Sequence, residues 1–228
     1  MTDDLAALRR AMVETQLVGR GIRDAAVLRA MAAVPRERFV PEIDPRHAYD
    51  DSALPIAELQ TISQPYVVAL MLEAIAPSAT DCVLEIGTGS AYATAVLAEI
   101  VAEVYTVERL ATLAAAARRR LAELGYRNVH ILEGDGTLGW PEHAPYDGVV
   151  VTAGGPDVPA PLLSQLRIGG HLVIPVGATP RAQELVRITR QTADEFRREN
   201  LGPVAFVPLI GAEGWPVPGP GRPDPPSG

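Results

Sequence analysis

The run Cys82-Val83-Leu84-Glu85-Ile86-Gly87-Thr88-Gly89-Ser90-Ala91 reads as a buried strand that breaks into a tight turn and then starts a helix. A short, largely apolar run bounded by glycines suits a strand covered on both faces. Two glycines one residue apart permit a sharp turn and let a ligand approach the backbone. The helix beginning near Ala91 and Tyr92 offers free N–H groups beside it. In an open α/β sheet, ligands bind beyond the carboxyl ends of the strands, so a site is expected at this turn.

Working outward, further apolar runs at Val104 to Val107, Val129 to Leu132, Gly148 to Thr152 and His171 to Val176 alternate with helical patterns. Leu110, Leu113, Ala114, Ala117, Leu121 and Leu124 follow helical spacing, and Gly125 stands where a C-terminal cap belongs. That alternation predicts an α/β fold, a right-handed doubly wound and mostly parallel sheet. Glu184 to Thr189 and Val204 to Leu209 read as two more strands, antiparallel at the sheet edge, which brings the expected total to seven. Upstream, Leu5, Leu8 and Met12 share one helical face, and Asp24 can cap a second helix with Val27, Leu28 and Met31 that Pro35 ends. The expected layout is a single domain over 1–214, with an N-terminal helical flank at 1–50 and a sheet core at 77–210. The Pro/Gly-rich stretch 215–228 is expected to be a disordered tail.

Composition narrows the chemistry. A chain of 228 residues, 47% apolar, can bury a substantial core. A net charge of -8 with scattered arginines argues against binding nucleic acid, which needs a concentrated basic surface. No apolar run approaches the roughly 18 to 20 residues that cross a bilayer, and the start Met1-Thr2-Asp3-Asp4 is acidic where a secretory leader would be basic, so no membrane partner and a cytoplasmic location are expected. The sequence holds no lysine, which removes Schiff-base mechanisms. His47, His130, His143 and His171 show no metal-ligand spacing, with one another or with the lone Cys82, so no metal is expected.

The turn itself discriminates between ligands. A dinucleotide fingerprint wants a third glycine where Tyr92 stands, and Glu85 would repel a pyrophosphate. The same carboxylate suits a ligand carrying an ammonium group, such as the methionine moiety of S-adenosylmethionine. Glu108 ends the second strand about twenty residues on, where a carboxylate can accept from a ribose diol. Gly134-Asp135-Gly136 follows the third strand and can face an adenine amine. Each acid alone has a plain reading as a turn or helix cap. Three at successive strand ends point to a pocket.

Together with Ala33-Val34-Pro35-Arg36-Glu37-Arg38-Phe39-Val40-Pro41, Gln60-Thr61-Ile62-Ser63-Gln64-Pro65-Tyr66 and Phe206-Val207-Pro208-Leu209, these residues resemble the protein-L-isoaspartate O-methyltransferase family from about Met12 to Leu209. The resemblance implies a class I methyltransferase fold, S-adenosyl-L-methionine as donor, and isoaspartyl-containing proteins and peptides as acceptors, in a protein that is a monomer. It implies Ser63 as the active-site hydroxyl; Thr61, Ile62, Glu85, Gly87, Thr88, Gly89, Glu108, Arg109, Asp135, Gly136 and Gln183 as the cofactor side; and Gln60, Ser63 and Thr152 against the acceptor. Without it, Ser63 reads as a helix cap before Pro65. The chain departs from the family pattern at Ala57, Leu59 and Ala91, which stand where the family usually has glycine. Two other readings stay open at this point: a tailoring enzyme that methylates aspartate in one biosynthetic peptide, and an inactive S-adenosylmethionine-binding homologue.

Overall fold

The computed structural model describes residues 2–40 and 43–217. Helix α1 (Thr2–Ala11) runs on through a π-helical turn at Met12–Leu17 and a 3-10 turn at Val18–Arg20, and stops at Gly21 in the left-handed region. Helix α2 (Ala25–Ala33) starts where expected, with the Asp24 carboxylate accepting from the Ala26 and Val27 N–H groups at 2.8 and 2.9 Å. The 3-10 turns Arg36–Phe39 and Pro45–Tyr49 lead to a two-residue ladder, in which β1 (Leu54–Pro55) pairs antiparallel with β2 (Thr61–Ile62). Helix α3 (Pro65–Ala74) follows, with Gln64 rather than Ser63 at its N-cap and no side-chain capping bond.

The sheet then forms from β3 (Cys82–Ile86), β4 (Glu103–Glu108), β5 (Val129–Glu133), β6 (Tyr146–Val151), β7 (Leu166–Thr179), β8 (Ala182–Arg190) and β9 (Phe196–Val204), with α4 (Tyr92–Ala98), α5 (Ala111–Glu123) and α6 (Ala160–Gln165) between strands. Its order is β5-β4-β3-β6-β7-β8-β9, parallel through β7 and antiparallel beyond. Strand alternation sorts the two faces. Val83, Val104, Val150 and Val173 pack with the N-terminal helices, α3 and α4, while Leu84, Ile86, Val149, Leu172 and Ile174 pack on the other face with Leu162 of α6. Burial on both faces is why these strands read as continuous apolar runs.

Two expectations at the C-terminal end are corrected. The last strand is Phe196–Val204, not Val204 to Leu209. Its sequence Phe-Arg-Arg-Glu-Asn-Leu-Gly-Pro-Val has no apolar alternation because it is an edge strand, half exposed and held by ions: Glu199 receives Arg187 at 2.8 Å and Arg197 at 2.6 Å. The apolar stretch 206–209 leaves the sheet and crosses the strand ends, where the Gly154 N–H donates to the Val207 carbonyl and the Leu209 N–H to the Gly154 carbonyl. Trp215, expected to open the disordered tail, is instead held: its indole N–H donates to the Gly154 carbonyl at 2.9 Å, and its backbone N–H to the Leu209 carbonyl at 2.7 Å. The rest of the tail from Pro218 onward lies outside the described residues.

Candidate active site

Strands β3, β4 and β6 end together, and their carboxyl edge opens into a cleft of about 610 Å³. Ile86, Gly87 and Gly89 form its floor, Glu108 to Leu110 and Gly136 one side, Thr152 and Ala153 another, and Val207 to Ile210 a third. Gln60 and Thr61 cover the mouth. Gly87 sits at φ +94°, and a Cβ there would lie 2.5 Å from the Thr152 hydroxyl, so only glycine fits. That hydroxyl is 2.7 Å from the Gly87 carbonyl and 3.0 Å from the Ile86 carbonyl, which pins the turn to β6. At Gly136 a Cβ would meet Ile86 at 2.4 Å. These glycines let the β3 turn pack directly on Thr152 and the β5 turn on Ile86.

The acids are arranged around this turn. The Glu108 carboxylate accepts from the Gly89 N–H at 2.8 Å and the Leu110 N–H at 2.9 Å, one on each oxygen, and borders the cleft. The Asp135 carboxylate accepts from the Ala212 N–H at 2.7 Å and from the Thr137 N–H and hydroxyl at 2.9 and 2.7 Å. Burial alone would raise the Asp135 carboxyl, yet the hydrogen bonds from Ala212 and Thr137 outweigh it and hold it below its ordinary value. Glu85 is fully buried behind the turn, where Oε2 accepts from Thr94 at 2.5 Å and Thr106 at 2.7 Å and Oε1 has no partner. Burial pushes its carboxyl up to about 7 against those two hydroxyls, with the nearby Glu108 adding to the rise.

A second, wider cleft adjoins the first. It is lined by Ser63, Tyr66 and the segment Leu201–Phe206, and Thr61 belongs to both. The Ser63 hydroxyl makes no hydrogen bond among the described residues, while its carbonyl accepts from Arg36 at 2.8 Å.

Comparison with known proteins agrees with this layout. The family model for protein-L-isoaspartate(D-aspartate) O-methyltransferase matches residues 8–214. The chain belongs to this family. It is 65% identical over 212 residues to protein-L-isoaspartate O-methyltransferase 1 of Geotalea uraniireducens, covering 93% of this chain and 97% of that one. It is 59% identical over 209 residues to the Rhodopseudomonas palustris (strain ATCC BAA-98 / CGA009) protein-L-isoaspartate O-methyltransferase, covering 92% and 96%. A solved protein-L-isoaspartate O-methyltransferase superposes with a TM-score of 0.82 at 29% identity, over 90% of this chain and 67% of that one. A Plasmodium falciparum structure described as a putative member of the family, in complex with S-adenosyl-L-homocysteine, superposes at 0.76 with 25% identity, over 89% and 98%. The chain is thus an S-adenosyl-L-methionine-dependent protein-L-isoaspartate O-methyltransferase with the family's class I fold.

Within this chain the expected site residues divide. Gln60, Thr61, Gly87, Gly89, Glu108, Arg109, Gly136 and Thr152 meet at the first cleft, and Ser63 faces the second. Gln60 and Thr152, expected against the acceptor, both line the first cleft, Thr152 because β6 ends beside the Gly87 turn. Ile62 turns its side chain into the core at 3% exposure, as strand alternation between Thr61 and Ser63 requires. Thr88 is buried against Thr106, hydroxyl to hydroxyl at 2.7 Å, and Glu85 lies behind the turn rather than in the cleft. Gln183 is at neither cleft: its amide spans from the Pro180 and Phe206 carbonyls to the Phe206 N–H, tying down the crossing segment. Reading residue types missed Val207 to Ile210 as a wall of the first cleft, since apolar residues there look like an ordinary strand. The polar residues that fasten them, Gln183 and Asp135, were the available signal.

Proposed function

We propose that methyl transfer takes place at Thr61, where the two clefts meet, and that the Ser63 hydroxyl orients the acceptor carboxylate. The supporting observation is that one residue, Thr61, lines both clefts, two positions from a serine whose hydroxyl is uncommitted among the described residues. When bound, S-adenosyl-L-methionine supplies a sulfonium methyl as electrophile. The cleft suits such a donor: its lining is mixed, with apolar groups from Ile86, Leu110 and Val207 to Ile210 beside polar ones, and Glu108 is the carboxylate on its surface. In this reading Glu108 accepts from the ribose diol, while Asp135 holds the segment 207–212 as a wall.

The acceptor of an isoaspartyl residue is a free α-carboxylate, with an unperturbed pKa of roughly 3.3 to 3.7, and is ionised by about three orders of magnitude or more over its acid at pH 7, so no general base is needed. What the chain contributes is alignment, which can supply roughly 7 to 11 kcal/mol. Charge is neutralised as the ester forms, so a single neutral donor such as Ser63 suits the attack better than a cationic clamp, which would hold the ground state. Main-chain groups of Leu201–Phe206 are placed to meet an extended peptide, which allows recognition by backbone shape rather than by neighbouring side chains. We read the working unit as a cytoplasmic monomer. Among the described residues no helix is long and apolar enough to cross a membrane.

The test is Ser63→Ala assayed with an isoaspartyl peptide and labelled donor. A fall in kcat of at least about tenfold, the lower range for a lost hydrogen bond to a charged group, with unchanged donor affinity is expected. A rate within about twofold of wild type defeats the role. Running the matched aspartyl peptide alongside separates repair from peptide tailoring, since repair predicts methylation of the isoaspartyl form alone.

A further inference from the structure

Arg36 is 0% exposed, and no carboxylate pairs with it among the described residues. Its neighbour Glu37 is turned away to receive the Tyr49 hydroxyl. The guanidinium instead donates through Nε to the Ala48 carbonyl at 2.7 Å and through Nη2 to the Ser63 carbonyl at 2.8 Å, and stacks 4.7 Å from the centre of the Tyr92 ring. Nη1 is buried without a partner. Tyr92 opens α4 directly after the donor-binding turn, and its ring also meets Phe39 edge-on. One buried group therefore touches the acceptor strand, the Pro45–Tyr49 turn and the helix that follows the donor turn.

Taking a guanidinium out of water without a counter-ion is expensive, and an apolar residue of similar volume often serves stability as well or better. Burial accordingly lowers the Arg36 pKa. Stability alone is a poor account of such a residue. Its planar fork, by contrast, can hold two carbonyls and a ring face at fixed mutual distances, which the point charge of a lysine cannot do.

We propose that Arg36 is a positioning residue for methyl transfer, holding the Thr61–Ser63 strand at a set distance from the donor turn through the Ser63 carbonyl and the Tyr92 ring. The proposal rests on the reading that this strand forms the acceptor side. It predicts that chemistry suffers far more than donor binding, because the Gly87 turn and Glu108 do not touch Arg36 and, of the held residues, Thr61 alone lines the first cleft.

The experiment compares Arg36→Met and Arg36→Lys, alone and with Ser63→Ala. Calorimetry with S-adenosyl-L-methionine counts donor-competent sites, and kcat on an isoaspartyl peptide is expressed per such site. Both single variants are expected to bind donor within about twofold of wild type and to lose about ten- to a hundredfold in kcat per site, the scale of a misplacement near 1 Å. The lysine variant, which keeps the charge, is expected not to rescue. In the Ser63→Ala background the Arg36→Met effect should shrink to within about threefold, as coupled residues do in a double-mutant cycle. Wild-type kcat per site in either single variant overturns the proposal, as does loss of folding in both, or an undiminished Arg36→Met effect beside an impaired Ser63→Ala. A silent Ser63→Ala with a slow Arg36→Met would remove the hydroxyl reading and leave the hold on the strand standing.

Discussion

Leu59 and Ala91 stand where the family usually has glycine, and both keep a glycine-like backbone, at φ +55° and +70°. Non-glycine residues in that region are strained by roughly 1 to 2 kcal/mol. Replacing either with glycine removes the strain but frees the unfolded chain, which costs about 0.4 to 1 kcal/mol. The difference lies in burial. Ala91 is 0% exposed, so its methyl contributes about 0.8 kcal/mol of burial that glycine forfeits, and Ala91→Gly should change stability by less than about 1 kcal/mol. Leu59 is 96% exposed and has no such offset, so Leu59→Gly should stabilise by about 1 kcal/mol, or roughly 2 to 4 °C in Tm at this chain length. Urea unfolding and thermal melts of the two variants side by side give the comparison. An uncompensated strain in a side chain beside Gln60 and Thr61 suggests a use: Leu59→Gly should raise KM for an isoaspartyl peptide by about tenfold, the weight of one apolar contact. A destabilised Leu59→Gly refutes the strain arithmetic, and an unchanged KM refutes the contact.

Three other outcomes are expected. Because the folded Glu85 carboxyl titrates at about 7, above its ordinary 4.5, the unfolded chain releases this proton first, and stability should fall as pH rises from about 4.5 through about 7, by a total near 3 kcal/mol. Glu85→Gln should flatten that fall in urea titrations at pH 5 and pH 8, and equal pH slopes in variant and wild type would rule it out. Thr152→Val keeps the shape but leaves the Gly87 carbonyl without its 2.7 Å hydroxyl, so donor Kd by calorimetry should rise about three- to tenfold; an unchanged Kd means that the turn does not need this tether. Trp215→Phe deletes the indole N–H to the Gly154 carbonyl while that carbonyl keeps the Leu209 N–H, so Tm should drop by only about 2 to 4 °C, and a loss beyond about 10 °C would show that the contact does more than close the wall.

The parallel core was readable because strands buried on both faces leave unbroken apolar runs, and β3 appears at Cys82–Ile86 as expected. Asp24, Gly125 and Pro35 also punctuate helices as their chemistry requires. The edge strand β9 was hidden because it carries Arg197 and Glu199 on one face and Arg198 on the other, where a core strand would show apolar residues. The apolar segment after it looked like a strand but forms a wall of the cleft, since its backbone partner is Gly154 rather than a neighbouring strand. At the site, glycine geometry was readable from residue type, because Gly87 and Gly136 tolerate no Cβ. Which way Glu85, Ile62 and Gln183 point was not, because an alternating chain places half its side chains behind the site and residue type alone does not choose the half.

The three acids at the strand ends illustrate how such a site is built. An ionised carboxylate offers about four acceptor positions. Asp135 already uses three, on Ala212 and Thr137, which makes it a fastener for the wall. Glu85 spends one oxygen on Thr94 and Thr106 behind the turn, and its other oxygen is sealed from the cleft. Glu108 alone of the three borders the cleft, with each oxygen committed to a single backbone N–H and one acceptor position left on each. On the proposed reading of Glu108, two acceptors held at a fixed separation by the Gly89 and Leu110 amides would meet the two hydroxyls of a diol without rearrangement on binding, which is the preorganisation that the fastener Asp135 lacks.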